Sequence, residues 1–216
     1  MYIFQPDRYI LDKQIKEASK FIHGNVLDVG AGEVNRYSKY FTYDKYVRMD
    51  LNHGEKVDLV GSADSIPLPD GTFDSVVCTQ VFEHLEFPEK SAREIFRVMK
   101  LGGHLLLTVP QMNELHEEPY DFFRYTKFGL RSLFGNAGFT VVHESQRGGF
   151  FTTLAQMRIR YCIDRFSLYK KPIRGKILAP FLSAYGRFSL WLDTLDTSVA
   201  NKKHTIGWCF VFKKEI

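Results

Sequence analysis

The sequence predicts an α/β fold with a doubly wound sheet, for three reasons. Its 216 residues and 44% hydrophobic content are those of one elaborated globular domain. Strand-like and helix-like segments alternate over the first 150 residues. The strand-like segments are nearly continuous apolar runs, which is typical of a mostly parallel sheet buried on both faces. Such a sheet carries helices on both faces and binds ligands at the carboxyl ends of its strands.

Seven segments have the apolar, β-branched composition of strands, and the last of them follows a helical insertion. Glycine ends the first and third segments, and Pro110 ends the fifth. The predicted strands are residues 25–30, 45–51, 57–61, 73–81, 104–110, 139–145 and 205–214.

Helices are predicted between several of these strands. Residues 88–100 begin with proline and end before a Gly-Gly pair. Residues 126–137 have Thr126 as the expected N-cap and Gly138 as the expected stop. Residues 6–21 are expected to form a further helix that lies against the sheet.

The composition excludes several classes of protein. Three scattered cysteines are too few for a disulfide framework or a CxxC-type metal site. The N-terminus carries Asp7, Arg8 and Asp12 where a signal peptide would be apolar. No uncharged apolar run approaches the roughly 18 residues needed to span a bilayer. We therefore expect a soluble, cytoplasmic protein.

The segment VLDVGAGEVNR (26–36) is the most informative loop. Gly30 and Gly32 follow a strand and precede a predicted helix, where glycine permits a tight turn and a close approach to a ligand. A dinucleotide-binding loop requires a third glycine, and that position is Asn35. Asp28 would repel phosphate and attract a cationic group. The loop therefore disfavours a pyrophosphate ligand.

This loop resembles motif I of the class I S-adenosylmethionine-dependent methyltransferases, of the type 11-like kind. The resemblance continues in order along the chain, with Asp50 ending the second strand. SADSIPLPDGTFD (62–74), FDSVVCTQVFEHL (73–85) and RVMKLGGHLLLTVP (97–110) are similar to the family's later elements. The ordered matches cover residues 24–110.

The resemblance implies a seven-stranded sheet of order 3-2-1-4-5-7-6 whose last strand is antiparallel. It also implies S-adenosyl-L-methionine as the cofactor and S-adenosyl-L-homocysteine as the product. In the family, the residue at Asp50 holds the ribose hydroxyls and the residue at Asp64 reaches the adenine amine. The third glycine of motif I is Val34 here. The cofactor-binding residues so implied are Asp28, Gly30, Ala31, Gly32, Asp50, Leu51, Ala63, Asp64 and Gln80.

We expect one methyltransferase domain over residues 1–216, in four parts. They are an N-terminal helix (1–23), a cofactor-binding core (24–147), a helical insertion or cap (148–204) and the last strand (205–214).

Two histidines are candidate general bases for the acceptor. His84 follows the fourth strand, and it either takes a proton or only shapes the pocket beside Glu83. His116 opens HEEPYDFFRYTKFGL (116–130), which resembles an HxxPYDFxRYT segment in a methyltransferase branch linked to cell-surface glycan and other small-molecule pathways.

In this fold the 116–130 segment is expected to lie over the acceptor, either as a substrate-lining element or as a lid held by an acid–arginine pair. No metal is expected, because no His, Cys and Asp cluster has metal-like spacing. The predicted substrate-binding residues are Glu83, Tyr120, Asp121, Arg124 and Tyr125.

Residues 158–187 contain eight basic residues and one acidic residue, in a chain of net charge +4. Aromatic and aliphatic side chains alternate with these charges up to residue 192. The segment either contacts a membrane peripherally, binds a phosphate-bearing acceptor, or packs on the core or a second subunit. Nucleic acid is disfavoured, because no RNA-binding module is present.

Taken together, the sequence predicts methyl transfer to a small-molecule, glycan or lipid-linked acceptor, most readily to oxygen. One alternative is a non-catalytic binding protein with the same fold. The other is a nicotinamide-dependent oxidoreductase, which Asp28 and Asn35 disfavour.

Overall fold

A computed structural model of the protein describes residues 2–34 and 36–215, so Asn35 lies outside the described residues. It contains one seven-stranded sheet of order β3-β2-β1-β4-β5-β7-β6, which confirms the predicted topology. The strands are β1 (Asn25–Val29), β2 (Lys45–Asp50), β3 (Leu59–Val60), β4 (Phe73–Thr79), β5 (Met99–Pro110), β6 (Phe139–Arg147) and β7 (Gly207–Lys214). The α-helices are α1 (Pro6–Ala18), α2 (Pro88–Val98), α3 (Lys127–Asn136), α4 (Phe150–Arg165), α5 (Pro172–Leu195) and α6 (Val199–Lys202).

The sheet is mostly parallel. Strand β1 is parallel to both β2 and β4, and β4 is parallel to β5. Strand β7 runs the other way: the Lys214 ammonium donates to the Met99 carbonyl where β5 begins, and the Gln111 amide donates to the Ile206 carbonyl where β5 ends. The last strand is therefore antiparallel to β5, as predicted.

The core of the sheet is rich in aromatic side chains. Phe134 of α3 stacks on Phe212 of β7 with ring centroids 4.5 Å apart, and Phe212 stacks on Phe210 at 5.1 Å. All three rings are fully buried. Burial of this size contributes roughly 1.5–3 kcal/mol per side chain to folding.

The prediction of a helix directly after the glycine loop is wrong. Between β1 and β2 the described residues form only a 3₁₀ turn, Ser38–Tyr40. Of the described residues in the segment AGEVNRYSKYFTYD only Phe41 is buried, so no helix face is packed there.

Helix α2 ends at Val98, two residues earlier than predicted, because the Gly-Gly pair belongs to β5. Gly102 has a positive φ of 79°. A Cβ on Gly103 would lie 2.8 Å from the Asp74 carbonyl oxygen. The pair therefore lets β5 pass close to β4 at a register shift, and it is not a helix stop.

The chain divides into two compact units, which are described separately. The first unit comprises residues 1–13, 111–114 and 146–207, and the second comprises residues 14–110, 115–145 and 208–216. The predicted 148–204 insertion thus falls within the first unit, together with the start of the chain. The second unit contains the glycine loop and both candidate histidines.

In the first unit, α4 and α5 pack on each other. Gly186 of α5 permits this, since a Cβ there would lie 3.1 Å from Phe4 and 3.2 Å from Ile159. Asp193 of α5 accepts hydrogen bonds from the Gly149, Phe151 and Thr152 amides, which open α4. The positive end of α4 is therefore capped by a carboxylate from its neighbour.

Helix α5 also carries exposed apolar side chains. Leu182 and Tyr185 pack against the small core of the first unit, whereas Phe181, Phe188 and Trp191 are more than half exposed. None of the helices in the described part of the chain combines the length and the apolarity needed to cross a bilayer.

Candidate functional site

The glycine loop closes the carboxyl end of β1. Gly30 and Gly32 have positive φ values of 71° and 56°. The Gly30 and Ala31 amides donate to the Met49 carbonyl at 2.9 and 3.1 Å. A Cβ on Gly30 would lie 2.4 Å from Val81 Cγ2, whereas one on Gly32 would meet nothing within 4 Å. The loop is thus fastened on the Gly30 side and open on the Gly32 side.

Two side chains of β2 fix this loop. Asp50 Oδ2 accepts from the Gly32 amide at 2.9 Å, and its Oδ1 accepts from the Asn52 amide at 3.0 Å. Arg48 donates to the Gly32 carbonyl at 2.7 Å and to the Ala31 carbonyl at 3.2 Å. Arg48 is buried and was not among the residues predicted from the sequence. The feature of the sequence that could have indicated its role is that Arg48 is a single arginine between apolar residues of a predicted strand.

Asp28 lies opposite Arg48 in the β1–β2 register. Its Oδ2 accepts a 2.8 Å hydrogen bond from the Tyr46 hydroxyl, a second contact that the sequence analysis missed. Burial raises the pKa of Asp28 to about 6, although the Tyr46 bond and the Arg48 charge act in the opposite direction. Burial and the Asp28 charge likewise raise the pKa of Tyr46.

The other predicted cofactor-binding residues differ from one another in their contacts and exposure. Asp64 accepts from the Ser62 hydroxyl and from the Lys90 ammonium of α2, and the Ser62 bond is the main cause of its lowered pKa. Ala63 is buried and Leu51 is exposed. Gln80 has a positive φ of 56°, and its amide side chain donates to Thr108 Oγ1 on β5 at 3.2 Å.

Some of the predicted cofactor-binding residues therefore contact one another directly in the structure. Gly30, Ala31, Gly32 and Asp50 form one hydrogen-bonded unit, and Val81, which follows Gln80, touches Gly30. Asp64 is engaged by α2 through Lys90.

The two candidate histidines lie next to each other. Glu83 and His84 belong to a 3₁₀ turn after β4, Phe82–His84, and His116 follows β5. The His84 and His116 ring centroids are 4.8 Å apart, with nearly perpendicular planes. Glu83 Oε1 lies 4.0 Å from His84 Nε2 and 3.9 Å from His116 Nε2. These three side chains form a group with metal-ligating atoms, which the sequence spacing had argued against.

The segment after His116 is bound to the turn that holds Glu83. The Phe122 and Phe123 amides donate to the Glu83 carbonyl at 2.8 and 3.1 Å. The Tyr125 hydroxyl donates to the Phe82 carbonyl at 3.1 Å. This segment is therefore fixed along its backbone as well as through its side chains.

The predicted acid–arginine pair is present. Arg124 donates two hydrogen bonds to Asp121, at 2.6 and 2.7 Å, and Asp121 Oδ2 also accepts from the His116 amide. The Arg124 bonds lower the pKa of Asp121 to about 2. Of the predicted substrate-binding residues, Glu83, Asp121 and Tyr125 have buried side chains, whereas Tyr120 is 67% exposed.

The glycine loop and the histidine pair belong to the same edge of the sheet. Strands β1, β4 and β5 are parallel, so their carboxyl ends meet there. The Cys78 thiol lies near the end of β4, at this edge of the sheet. Burial raises its pKa most, followed by the charges of Glu83 and Asp28.

Residues 27–107 match the model of a protein family described as a methyltransferase domain. One curated relative, named as an S-adenosylmethionine-dependent methyltransferase of Mycolicibacterium smegmatis, is 39% identical over 31% of this chain and 23% of its own length. A second, the uncharacterized methyltransferase YcgJ of Bacillus subtilis strain 168, is 40% identical over 45% of each chain. The chain spans less than half the length of both relatives.

Similarity to solved structures extends over nearly the whole chain. A structure assigned as a methyltransferase of Bacillus halodurans C-125 covers 95% of this chain, and 99% of its own chain is covered. The TM-score is 0.60 and the sequence identity is 18%. At this identity the likeness shows the shared fold.

Proposed function

We propose that this chain is a class I S-adenosylmethionine-dependent methyltransferase and that it transfers a methyl group from S-adenosyl-L-methionine to an oxygen of its acceptor. The observation that carries the proposal is the loop of residues 30–32, fastened by Asp50 and Arg48 at the carboxyl edge of the sheet. The match of residues 27–107 to the methyltransferase domain family supports it.

The residues present fit this cofactor. The open side of Gly32 leaves room for a ligand beside the Asp50 carboxylate, whose oxygens are suited to accept from ribose hydroxyls. Asp28 adds a second acid at the end of β1. Asp28 beside the loop, and no helix N-terminus among the described residues 31–44, make a poor pyrophosphate site. This arrangement favours an adenosyl sulfonium over a nicotinamide dinucleotide.

The bound cofactor would supply a methyl group that its sulfonium already activates. The chain's contribution is orientation, because holding the acceptor in line can supply about 7–11 kcal/mol of the barrier. A hydroxyl acceptor must also lose its proton. The Tyr120 carbonyl, 2.6 Å from His84 Nδ1, can only accept a hydrogen bond, so Nδ1 carries the proton. His84 Nε2 is then the basic atom, with His116 beside it.

The cofactor assignment is tested by calorimetric titration with S-adenosyl-L-homocysteine. We expect binding by the wild-type chain and by Glu55→Gln, an exposed control. Asp50→Asn should bind at least tenfold more weakly, because the ribose loses a charged acceptor. Absence of binding by the wild-type chain would refute the cofactor.

Methyl transfer is tested separately, by incubating the chain with methyl-labelled cofactor and cell extract. We expect a labelled small molecule, glycan or lipid-linked product whose label is on oxygen. A labelled product with the methyl on nitrogen or carbon would correct the acceptor atom. Cofactor binding without any labelled product would favour a non-catalytic binding protein.

We further propose that the acceptor is lipid-linked and that α5 holds the protein on an anionic membrane surface. Seven residues recur along α5 at intervals of three or four and are all exposed, so they form one stripe. They are Ile173, Ile177, Phe181, Ala184, Phe188, Trp191 and Leu195. The only acid of α5, Asp193, instead caps α4.

Basic residues flank this stripe. Lys170, Lys171, Arg174, Lys176 and Arg187 are all exposed. An apolar stripe with basic flanks is the pattern of a helix that lies in the plane of a membrane interface, where each basic residue near an anionic surface contributes about 1 kcal/mol.

Tryptophan fluorescence tests this membrane contact. The chain has two tryptophans, and Trp208 is buried whereas Trp191 is 53% exposed. Vesicles of anionic phospholipid should shift the emission to the blue, and neutral vesicles should not. Phe181→Asp should abolish the shift, whereas Phe128→Asp, at an exposed position of α3, should leave it unchanged. A dimer that dissociates in Phe181→Asp without lipid would instead assign the stripe to a second copy.

A further inference from the structure

The group formed by Glu83, His84 and His116 has a geometry that acid–base chemistry alone does not require. Glu83 Oε1 faces two imidazole Nε2 atoms at 4.0 and 3.9 Å, beyond hydrogen-bond distance. The candidate ligand atoms of the three residues all lie within 4.8 Å of one another. Three convergent donor atoms at this spacing surround a volume that suits one cation.

The two rings are oriented by their other nitrogens. His84 Nδ1 is held by the Tyr120 carbonyl at 2.6 Å, and His116 Nδ1 faces Asp121 Oδ2 at 3.4 Å. Both partners are acceptors, so both Nδ1 atoms carry protons and both lone pairs are on Nε2. This is the arrangement in which metal-binding histidines are found, each bonded through its second nitrogen to a carbonyl or carboxylate.

The Glu83 carboxyl group is fully buried. The side chain of Glu83 has 0% exposure, and its backbone carbonyl is fixed by the Phe122 and Phe123 amides. A buried carboxylate requires a compensating positive charge or hydrogen bonds. A metal ion between Glu83 Oε1 and the two Nε2 atoms would add positive charge beside this buried group.

We propose that Glu83, His84 and His116 bind one divalent transition-metal ion, of which Zn²⁺ is the best suited. Two imidazole nitrogens and one carboxylate oxygen are the donor set of many zinc sites that keep an open position. Ligand atoms on tetrahedral zinc lie about 3.3 Å apart, so binding would shorten the distances from Glu83 Oε1 to the two Nε2 atoms by about 0.6–0.7 Å. Mg²⁺ is disfavoured because it requires oxygen ligands.

Two further residues complete the assignment. Asp121, held by Arg124, is the positioning residue for His116, and the acid–arginine pair thereby acquires a role beyond fixing the segment. Glu117 Oε2 lies 3.9 Å from His84 Nε2 and is 76% exposed, so it is placed to occupy the fourth position until the acceptor replaces it.

Resting on the proposed function, the open coordination position would take an oxygen of the methyl acceptor. With the metal bound, His84 Nε2 would be a ligand and not the base; coordination would lower the pKa of the acceptor hydroxyl, and its proton would leave to solvent. The metal site itself does not depend on this step, and its tests need no activity.

Metal binding is measured on untagged protein by titration with Co²⁺, whose visible absorption reports its coordination, followed by displacement with Zn²⁺. We expect one site per chain. Glu83→Gln and His116→Asn should each lose at least 100-fold in affinity. Asp121→Asn should lose about 10-fold to 100-fold. His53→Asn and Cys162→Ser, which change metal-binding side chains outside the site, should bind as the wild type does.

S-adenosyl-L-homocysteine binding serves as the folding control, because the glycine loop uses none of these residues. Glu83→Gln that retains this binding and loses Co²⁺ supports the site. Equal Co²⁺ binding by the wild type and the variants overturns it. Should the variants fail to fold, imidazole ¹⁵N NMR of the wild type decides. Zn²⁺ must shift the Nε2 signals of two histidines, and unchanged signals overturn the proposal.

Discussion

Gly30 and Gly32 both have a positive φ but differ in their surroundings. Replacing each by alanine therefore separates the cost of backbone strain from the cost of a steric clash. Gly32→Ala should cost about 1 kcal/mol of unfolding free energy, from the left-handed backbone alone. Gly30→Ala should cost at least about 2 kcal/mol, because its Cβ would also meet Val81. Urea unfolding measures both changes. Adding Val81→Ala to Gly30→Ala should recover part of the loss, and no recovery would contradict the proposed clash.

Asp28 should make cofactor binding dependent on pH. Its pKa of about 6 means that the carboxylate becomes neutral below pH 6 and no longer attracts a cationic ligand. Affinity for S-adenosyl-L-methionine, whose sulfonium is cationic, should therefore fall about tenfold between pH 7.5 and pH 5, by calorimetry, and affinity for S-adenosyl-L-homocysteine, whose sulfur is uncharged, should fall less. Asp28→Asn should remove this dependence. Tyr46→Phe should move the midpoint to higher pH, since the hydroxyl bond lowers the pKa.

The pH dependence that Asp28 gives to folding stability has the opposite sign to the one it gives to cofactor binding. Because burial raises the pKa of Asp28 above its ordinary value of 3.8, the folded chain holds this proton more tightly than the unfolded chain. The group therefore favours folding below about pH 4 and opposes it increasingly as the pH rises to about 6. In Asp28→Asn this contribution should vanish from the pH profile of unfolding.

Residue types pointed to Asp28, Gly30 and Gly32, and the family resemblance added Asp50. Asp28, Gly30, Gly32 and Asp50 were predictable because they adjoin strands whose apolar runs are unmistakable. The Glu83–His116 contact was not, because 32 positions separate the two residues and the path between them depends on backbone bonds to the Glu83 carbonyl.

At the scale of elements, the N-terminal caps of α4 and α3 can be compared by substituting one residue at each. Asp193→Ala removes the acceptor of three α4 amides and should cost about 2 kcal/mol. Thr126→Ala removes a single bond to the Gly129 amide at the start of α3 and should cost about 1 kcal/mol. Thermal unfolding monitored by circular dichroism compares them. A larger loss in Thr126→Ala would contradict the capping role of Asp193.

Element boundaries show where sequence patterns succeed. Thr126 was predicted as a cap and is one, because its hydroxyl competes well only at a helix start. The Gly-Gly pair at residues 102–103 was misread as a helix stop. Glycine marks a helix end and a strand register shift equally, and only the neighbouring Asp74 carbonyl distinguishes them.

At the scale of the whole molecule, ligand binding should protect a defined part of the chain. S-adenosyl-L-homocysteine should slow amide hydrogen exchange in the loop around Ala31 and at the ends of β2 and β4. Exchange in α5 should be unchanged without lipid. Mass spectrometry of exchanged peptides measures both, and protection confined to α5 would contradict the assigned cofactor site.

Topology was predicted more completely than any single site. Seven apolar runs in a given order, together with the family resemblance, were enough for the strand order, since few arrangements bury all of them. The missing helix after β1 was not predicted, because a glycine turn specifies the bend and leaves the following residues undetermined.

Strand β7 follows all the other strands along the chain yet lies between β5 and β6. During synthesis, β6 therefore cannot pair in its final position until β7, the strand that separates it from β5, has left the ribosome. Translational pausing after α6 would leave the edges of β5 and β6 unpaired and exposed to chaperones and to neighbouring nascent chains.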